Sequence, residues 1–477
     1  MKKTVLIICI CFLAVFTSAS VLPLAGMIFY RGDQSGAEQR DLAAFPALIS
    51  DAGLNLDFGS QFEDWFRDHF AFRSELAGAN STAMLSIFNS SPEESVVAGK
   101  DGWLFYAETV PDYCREERLD EYELARLVRT VKLESDYAES RGAAYIFASA
   151  PNKNSIYPEM MGTFFSQNKG ESLLDRLNGA LAAEGVAVCN LKDDLTAAKS
   201  LGQLYYRCDS HWNLLGSTVV WTSLTKRITE ETGVTFEPSS RTADTLASGE
   251  REDDLLKMVR PMASTMAEEC ALDSSPENYK VKGRMSGLDD AVIETTCEAA
   301  QLRLLMFRDS FGRAMIHPLA NSFAETVFVR STPFDLYGRL EGYTGGLRTV
   351  VVREIVERNL TKLLETAPVV PAPVIDENTL SGINNLKRYD EARINVEKGS
   401  KRGDLVMYCG TVPEAEGCYT RIFVKAGEKY YEAFPFCDSS SELCGKAGCG
   451  FTLWLPEDAE AVITEIVAGC GGDDLNL

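Results

Sequence analysis

The sequence predicts an α/β protein with a mostly parallel sheet, followed by a small β-rich module. Three observations carry this expectation. Short apolar, β-prone runs alternate with helical stretches between about residues 99 and 365; a proline-rich segment then interrupts the pattern; beyond it, β-prone runs are parted by glycines and cysteines. Short buried strands alternating with helices build a layered fold whose helices cover the sheet.

Residues 31–90 read as a juxtamembrane helical region, with an aromatic, amphipathic stretch at 58–76. The α/β pattern occupies 91–366. Helical periodicity over 121–141 leads into the apolar run 144–148, and 170–184 leads into 186–189. Three further strand candidates, 302–307, 326–329 and 349–352, have helical text between and after them. A polar, Ser- and Glu-rich insertion at about 235–288 carries no strong strand signal and is a candidate lid; Asp253 and Asp254 in it read as solvated charge. The segment Ala367-Pro368-Val369-Val370-Pro371-Ala372-Pro373 is stiff and extended, so a linker is placed at 367–376. The β module follows at 377–477, with strand candidates at 405–408, 419–425, 430–434 and 451–455.

Composition narrows the function. At 477 residues and 45% hydrophobic the chain is globular and too long for one ordinary domain. A formal charge of -23 disfavours nucleic acid and anionic lipid, since an acidic surface repels both. Lys2 and Lys3 precede an apolar run over residues 4–30, about the length that spans a bilayer, so 1–30 reads as a membrane anchor with the rest exported. A signal peptide cleaved near Thr17-Ser18-Ala19 is the alternative. Thirteen cysteines suit an exported protein. Cys409, Cys418, Cys437, Cys444, Cys449 and Cys470 crowd into the module and predict up to three disulfides.

Only His69, His211 and His317 are available as a histidine base. His211 lies in Asp209-Ser210-His211; if that segment is extended, Asp209 and His211 share a face and the carboxylate can orient the imidazole. A histidine satisfied in a loop or core is the plain alternative. Ser310 falls where the strand at 302–307 turns into a helical stretch at 311–323, a setting that puts a hydroxyl beyond the sheet's carboxyl end beside free helix N–H groups. The plain alternative is a helix N-cap formed by Asp309 or Ser310. His317, two helical turns on, would lie about 10 Å from Ser310, and His69 precedes the α/β core. HExxH, a P-loop, GxGxxG after a strand and the GxSxG elbow are all absent from the sequence, so no metal or nucleotide cofactor is expected.

Six segments in one order resemble the SGNH-hydrolase-like family of the alginate O-acetyltransferases AlgJ and AlgX, including the exported DHHW-type proteins. They are Asp68-His69-Phe70-Ala71-Phe72-Arg73, Gly99-Lys100-Asp101-Gly102-Trp103-Leu104-Phe105-Tyr106, Pro151-Asn152-Lys153-Asn154-Ser155-Ile156-Tyr157-Pro158-Glu159, Asp209-Ser210-His211-Trp212-Asn213, Asp309-Ser310-Phe311-Gly312 and Glu354-Ile355-Val356-Glu357-Arg358. The resemblance implies an SGNH-like, flavodoxin-like sandwich and a catalytic triad of Ser310, His211 and Asp209. It implies transfer of an acyl group, usually acetyl, to a hydroxyl of a cell-surface polysaccharide, with a membrane-bound O-acyltransferase as the donor's source. A carbohydrate esterase with the same triad, or a non-catalytic glycan-binding protein, are the alternatives. Two positions depart from the family pattern: Ser210 stands where the namesake motif has a second histidine, and Arg308 replaces a common glycine. Lys153, Asn154 and Arg358 are the expected substrate-binding residues, as they fall near predicted strand or helix ends; a structural role is the equal alternative.

Overall fold

The computed structural model describes residues 43–469, apart from 51–52, 70–72, 117–118, 237–246, 261–264, 273–276, 299, 344–345, 391–394, 413–418, 444–449 and 458–462, together with Cys9, Ile10, Phe12, Leu13 and Thr17. The expected anchor at 1–30 therefore lies almost wholly outside the described residues. Among the described residues no helix is long and apolar enough to cross a membrane.

Two helices, α1 (Phe58–His69) and α2 (Arg73–Phe88), stand where the sequence predicted a single helical stretch. A short antiparallel hairpin, β1 (Val96–Ala98) and β2 (Leu104–Tyr106), follows. Then come α3 (Glu121–Ser140), β3 (Ala144–Ala150), α4 (Leu173–Ala183), β4 (Val188–Cys189), α5 (Leu191–Ala198), α6 (Leu214–Thr232), α7 (Asp254–Val259), β5 (Lys280–Val281), β6 (Val292–Thr296), β7 (Arg303–Phe307), α8 (Ile316–Ser322), β8 (Glu325–Val329), α9 (Leu336–Glu341) and β9 (Thr349–Val356). The starts of α3 and α6 are encoded locally. Asp120 and Glu123 form a reciprocal capping box on α3, and Asn213 accepts the Gly216 N–H to cap α6.

The main sheet runs in the order β4-β3-β9-β7-β8-β6-β5. Its first five strands are mutually parallel; β6 and β5 are antiparallel additions at one edge. Successive residues of the central strands enter two cores. Tyr145 and Phe147 of β3 pack with Leu127 and Val131 of α3 and Leu177 of α4. Ile146 and Ala148 pack on the other side with Leu195 of α5, Trp221 and Leu224 of α6 and Leu319 of α8. Strands buried on both faces read as unbroken apolar runs, which is why they stand out in the sequence. The sheet is thus covered by helices on both sides, and β7, which leads into Ser310, sits between β9 and β8 with its carboxyl end open.

The tail is all β. With β10 (Val374–Ile375), β11 (Leu386–Asp390), β12 (Asn395–Arg402), β13 (Leu405–Thr411), β14 (Arg421–Ala426), β15 (Lys429–Ala433), β16 (Gly450–Pro456) and β17 (Ile463–Gly469), it forms a five-stranded sheet, β10-β15-β14-β17-β11, and a three-stranded sheet, β12-β13-β16. It packs on α3 through a buried cluster. Glu432 accepts from Arg129 Nε at 2.8 Å and Arg421 Nε at 3.0 Å, and Arg126 donates to the Tyr419 carbonyl at 3.0 Å. Burial opposes the charge on Glu432, but Arg129 and Arg421 outweigh it and hold the carboxyl below its ordinary range. The proline-rich stretch is packed rather than free: Ala367, Val369 and Val370 are buried in the same core as Trp454 and Leu360, and Val369 exchanges backbone hydrogen bonds with Phe334 and Tyr337. Of the six tail cysteines, Cys409 is a buried thiol beside Cys437, its Sγ 3.5 Å from Thr452 Oγ1. Cys418, Cys444, Cys449 and Cys470 lie outside the described residues.

Gly216, in the first turn of α6, is held against the preceding loop. A Cβ there would lie 2.2 Å from the Leu204 carbonyl oxygen and 2.9 Å from Trp212 Cβ. Alanine normally stabilises a helix by about 1 kcal/mol over glycine. Here the sign should reverse: Gly216→Ala is expected to lose about 1–3 kcal/mol by overpacking, read as a lower Tm of the full-length chain.

Candidate active site

Two chain segments meet outside the carboxyl ends of β3, β9 and β7, where open α/β sheets generally bind ligands. The first is the turn after β7. Asp309 accepts the Phe311 N–H through Oδ1 at 2.8 Å and the Val356 N–H through Oδ2 at 2.7 Å, so this carboxylate caps the turn and ties it to the end of β9. Ser310 makes no side-chain cap. Its hydroxyl instead lies 2.9 Å from His211 Nε2. Arg308 is fully buried, and its guanidinium points away from Ser310, to the carbonyls of Leu288 and Asp309 at 2.5 and 3.2 Å. Gly312 must stay small, since a Cβ would sit 2.7 Å from Arg308 Cβ and 3.0 Å from Glu354 Oε2. Glu354 accepts the Asp309 N–H at 2.9 Å. Burial, then the neighbouring Asp309 carboxylate, pushes the Glu354 carboxyl well above its ordinary range.

The second segment is the loop 204–213, pinned at its ends by a bridge between Tyr205 and Trp212. Asp209 and His211 do not reach one face through an extended strand as expected. The loop bends there, and Asp209 Oδ1 accepts both the His211 backbone N–H and Nδ1–H, each at 2.8 Å. This Asx-type turn places carboxylate and ring together through local geometry. With Nδ1 as donor, Nε2 presents its lone pair to the Ser310 hydroxyl. The ring lies against Phe311, with centroids 4.6 Å apart, and Phe311 is in turn edge-on to Trp212.

Residues expected to bind substrate are placed differently from one another. Lys153 is buried, and its Nζ donates to the carbonyls of Tyr206, Arg207 and Asp209 at 3.2, 3.0 and 2.7 Å. Burial lowers this amine to about 8, opposed by Asp209 and Asp254. An ammonium has three N–H groups, so all are spent on the loop and none is left for a ligand. Asn154 is also buried and donates to Thr109 Oγ1 at 2.8 Å. Arg358 is half-buried, its guanidinium 5.4 and 5.5 Å from the ring centres of Tyr106 and Phe311. The other histidines lie apart from this cluster: His317 Nδ1 meets Tyr279 OH at 2.6 Å, and His69 stacks on Trp65.

Asp253 and Asp254 of the 235–288 insertion, expected as solvated charge, lie at this loop instead. Asp253 is buried, and Asp254 accepts the Ser210 N–H at 2.7 Å and the Ser210 hydroxyl at 2.5 Å. Asp209, His211 and Asp254 have side-chain ligand atoms within 4.8 Å of one another and are the one such group among the described residues. With Nδ1 donating to Asp209 and Nε2 accepting from Ser310, however, the ring has no lone pair to offer a cation.

Residues 96–284 match the family model described as the SGNH hydrolase-like domain, acetyltransferase AlgX. This part of the chain resembles that family. The matched segment contains Asp209 and His211 and ends before Ser310. Among curated relatives, the chain is 27% identical over 218 residues to the probable alginate O-acetylase AlgJ of Pseudomonas syringae pv. tomato, covering 45% of this chain and 54% of that one. It is 29% identical over 198 residues to AlgJ of Pseudomonas aeruginosa, covering 41% and 49%. The chain thus spans about half the length of the curated relatives it matches. Among solved structures, the O-acetyltransferase domain of Pseudomonas putida AlgJ aligns with a TM-score of 0.36 at 17% identity, covering 56% of this chain and 92% of that one.

Next to the site, Glu357 is buried and accepts the Asn152 N–H at 2.7 Å and the Ser155 hydroxyl at 2.6 Å. Burial, then Asp112, pushes its carboxyl up to about 8. A carboxyl raised on folding favours the protonated folded state, so its stability contribution is complete below the ordinary value and is lost as pH rises toward 8. Glu357→Gln keeps an acceptor oxygen without the charge. The wild type is expected to lose more Tm between pH 5 and pH 8 than Glu357→Gln does, and parallel losses would sink the assignment.

Proposed function

We propose that this chain is an extracytoplasmic serine O-acetyltransferase acting on a cell-surface polysaccharide, with Ser310, His211 and Asp209 as its catalytic triad. One observation carries the reading: a serine hydroxyl 2.9 Å from an imidazole whose other nitrogen is 2.8 Å from a buried carboxylate. The likeness to proteins named alginate O-acetylase supplies the reaction class and the polysaccharide acceptor. Export rests on the sequence alone, on Lys2 and Lys3 ahead of the apolar run at 4–30, which would anchor the catalytic domain at 91–366 to the membrane. A membrane-bound O-acyltransferase is the proposed partner that brings the acyl group across, and the module at 377–477 is the proposed wall- or glycan-facing accessory.

The chemistry follows from the hydrogen bonds. His211 Nε2 takes the Ser310 proton as Oγ attacks the acyl carbonyl, and Asp209 stabilises the imidazolium that forms. The tetrahedral intermediate collapses to acyl-Ser310, and the imidazolium returns the proton to the departing group. A sugar hydroxyl then gives its proton to Nε2 and attacks the acyl carbon, and the imidazolium returns that proton to the departing Ser310 Oγ. Lys153 and Asn154 act in this scheme by holding the loop and its flank, whereas Arg358 keeps a half-buried guanidinium beside Phe311 and is the substrate-contacting candidate of the three.

Full-length chain mixed with p-nitrophenyl acetate should release a burst approaching one p-nitrophenol per chain. Ser310→Ala and His211→Ala should abolish it, and Asp209→Asn should slow acylation by about 10³–10⁴-fold, the scale typical of triads. A burst that survives Ser310→Ala overturns the assignment. Adding a polysaccharide acceptor should accelerate release after the burst and yield acetylated sugar, whereas steady release indifferent to acceptor identifies the esterase.

A further inference from the structure

His211 Nδ1 faces two carboxylates. Asp209 Oδ1 lies at 2.8 Å and Asp254 Oδ2 at 3.5 Å, with Ser210 Oγ between them at 3.3 Å. Asp254 belongs to the insertion, 44 residues from Ser210, and is the first residue of α7. Each of its polar groups on this side engages the active-site loop. Oδ1 accepts the Ser210 N–H, Oδ2 accepts the Ser210 hydroxyl, and its own backbone N–H donates to Asp209 Oδ2 at 3.2 Å. The Asp209 carboxylate is therefore held at both oxygens, one by His211 and one by Asp254, which fixes its plane relative to the ring.

The contact is built. Leu255, Leu256 and Val259 of α7 are buried in a cluster with Val96 and Leu104 of the β1–β2 hairpin, and the Leu256 N–H donates to the Cys208 carbonyl at 3.1 Å. A hydrophobic anchor thus delivers a carboxylate to one spot beside the ring, whereas a solvated charge would need no anchor. Ser210, which departs from the family's second histidine, is the residue Asp254 grips.

We propose that Asp254 is a positioning residue for acyl transfer: it fixes the Ser210 turn and the Asp209 carboxylate and presents a second negative charge to His211, which makes the insertion part of the catalytic machinery. This rests on the triad reading above. Around the ring, the other groups are the Ser310 hydroxyl on Nε2, Phe311 on its face, Arg358 beyond Phe311, and the Lys153 ammonium on the Asp209 carbonyl. Asp254 is thus one of two anions facing Nδ1.

The test is kcat and KM for acylation of the full-length chain by p-nitrophenyl acetate, in the wild type, Ser310→Ala, Asp254→Asn, Asp254→Glu and Ser210→Ala. In Asp254→Asn kcat should fall about 10–100-fold with little change in KM. Ser210→Ala loses the hydroxyl that Asp254 holds and should lose kcat in the same way. Asp254→Glu keeps the charge but cannot make both Ser210 contacts at the same length, so its kcat should fall at an unchanged KM. An Asp254→Asn protein that melts like the wild type and keeps the wild-type kcat, or loses rate through KM alone, overturns the proposal. Should that variant not fold, a wild-type kcat in Asp254→Glu overturns it instead. A burst surviving in Ser310→Ala sinks the triad reading; its loss there, with a wild-type kcat in Asp254→Asn, sinks only this inference.

Discussion

A single buried ammonium holds the loop on which the site depends. Lys153 leaves the end of β3 and gives its three N–H groups to the carbonyls of Tyr206, Arg207 and Asp209. Such carbonyls converge only if the loop folds back on itself, and convergent acceptors repel unless a cation sits among them. The rings of Trp103 and Phe105, 5.5 and 5.1 Å from Nζ, wall the charge off from water and add their own attraction. The sheet positions Lys153, Lys153 positions the loop, and the loop presents Asp209 and His211 to Ser310.

The opposite side of the site is organised by carboxyls. Asp309, Glu354 and Glu357 cluster around the ends of β7 and β9, each accepting at least one backbone N–H. Glu354 and Glu357 are pushed upward by burial. A protonated carboxyl accepts a hydrogen bond without the desolvation cost of a charge, so these groups can brace the turn from within the core. Asp309 accepts bonds from two different segments, and this leaves the Ser310 hydroxyl available to His211.

Much of this was legible in the sequence, for physical reasons. The central strands showed because burial on both faces leaves no polar alternation, and the triad candidates showed because histidine is scarce and Ser310 sits between strand-like and helix-like text. Strand β6, Val-Ile-Glu-Thr-Thr, did not show: it pairs antiparallel and is only alternately buried. Helix α6 was hidden by its Ser and Thr content. Thr218, Thr222, Ser223, Thr225 and Thr229 bond back to carbonyls four residues earlier, which satisfies hydroxyls that otherwise favour turns. Asp254 was unreadable because nothing local to it is unusual. Its role comes from Ser210 and His211, brought close only by the docking of α7. Lys153, near a predicted strand end, suits a ligand contact and a structural role alike in the sequence, and only the folded loop shows where its charge goes.

The strand order has a consequence for how the molecule comes into being. Strand β9 is the last of the main sheet in the chain, yet it lies between β3 and β7, pairing Val350 with Ala144 and Arg303 with Thr349. Until residues 349–356 are available, the two halves of the sheet have no common partner, and Asp309 lacks the Val356 N–H that braces the Ser310 turn. A chain made from its N-terminus would therefore carry the loop of His211 and the turn of Ser310 as separate pieces for most of its synthesis. The site is assembled late, by closure of a contact spanning some 200 residues, a topology that folds slowly.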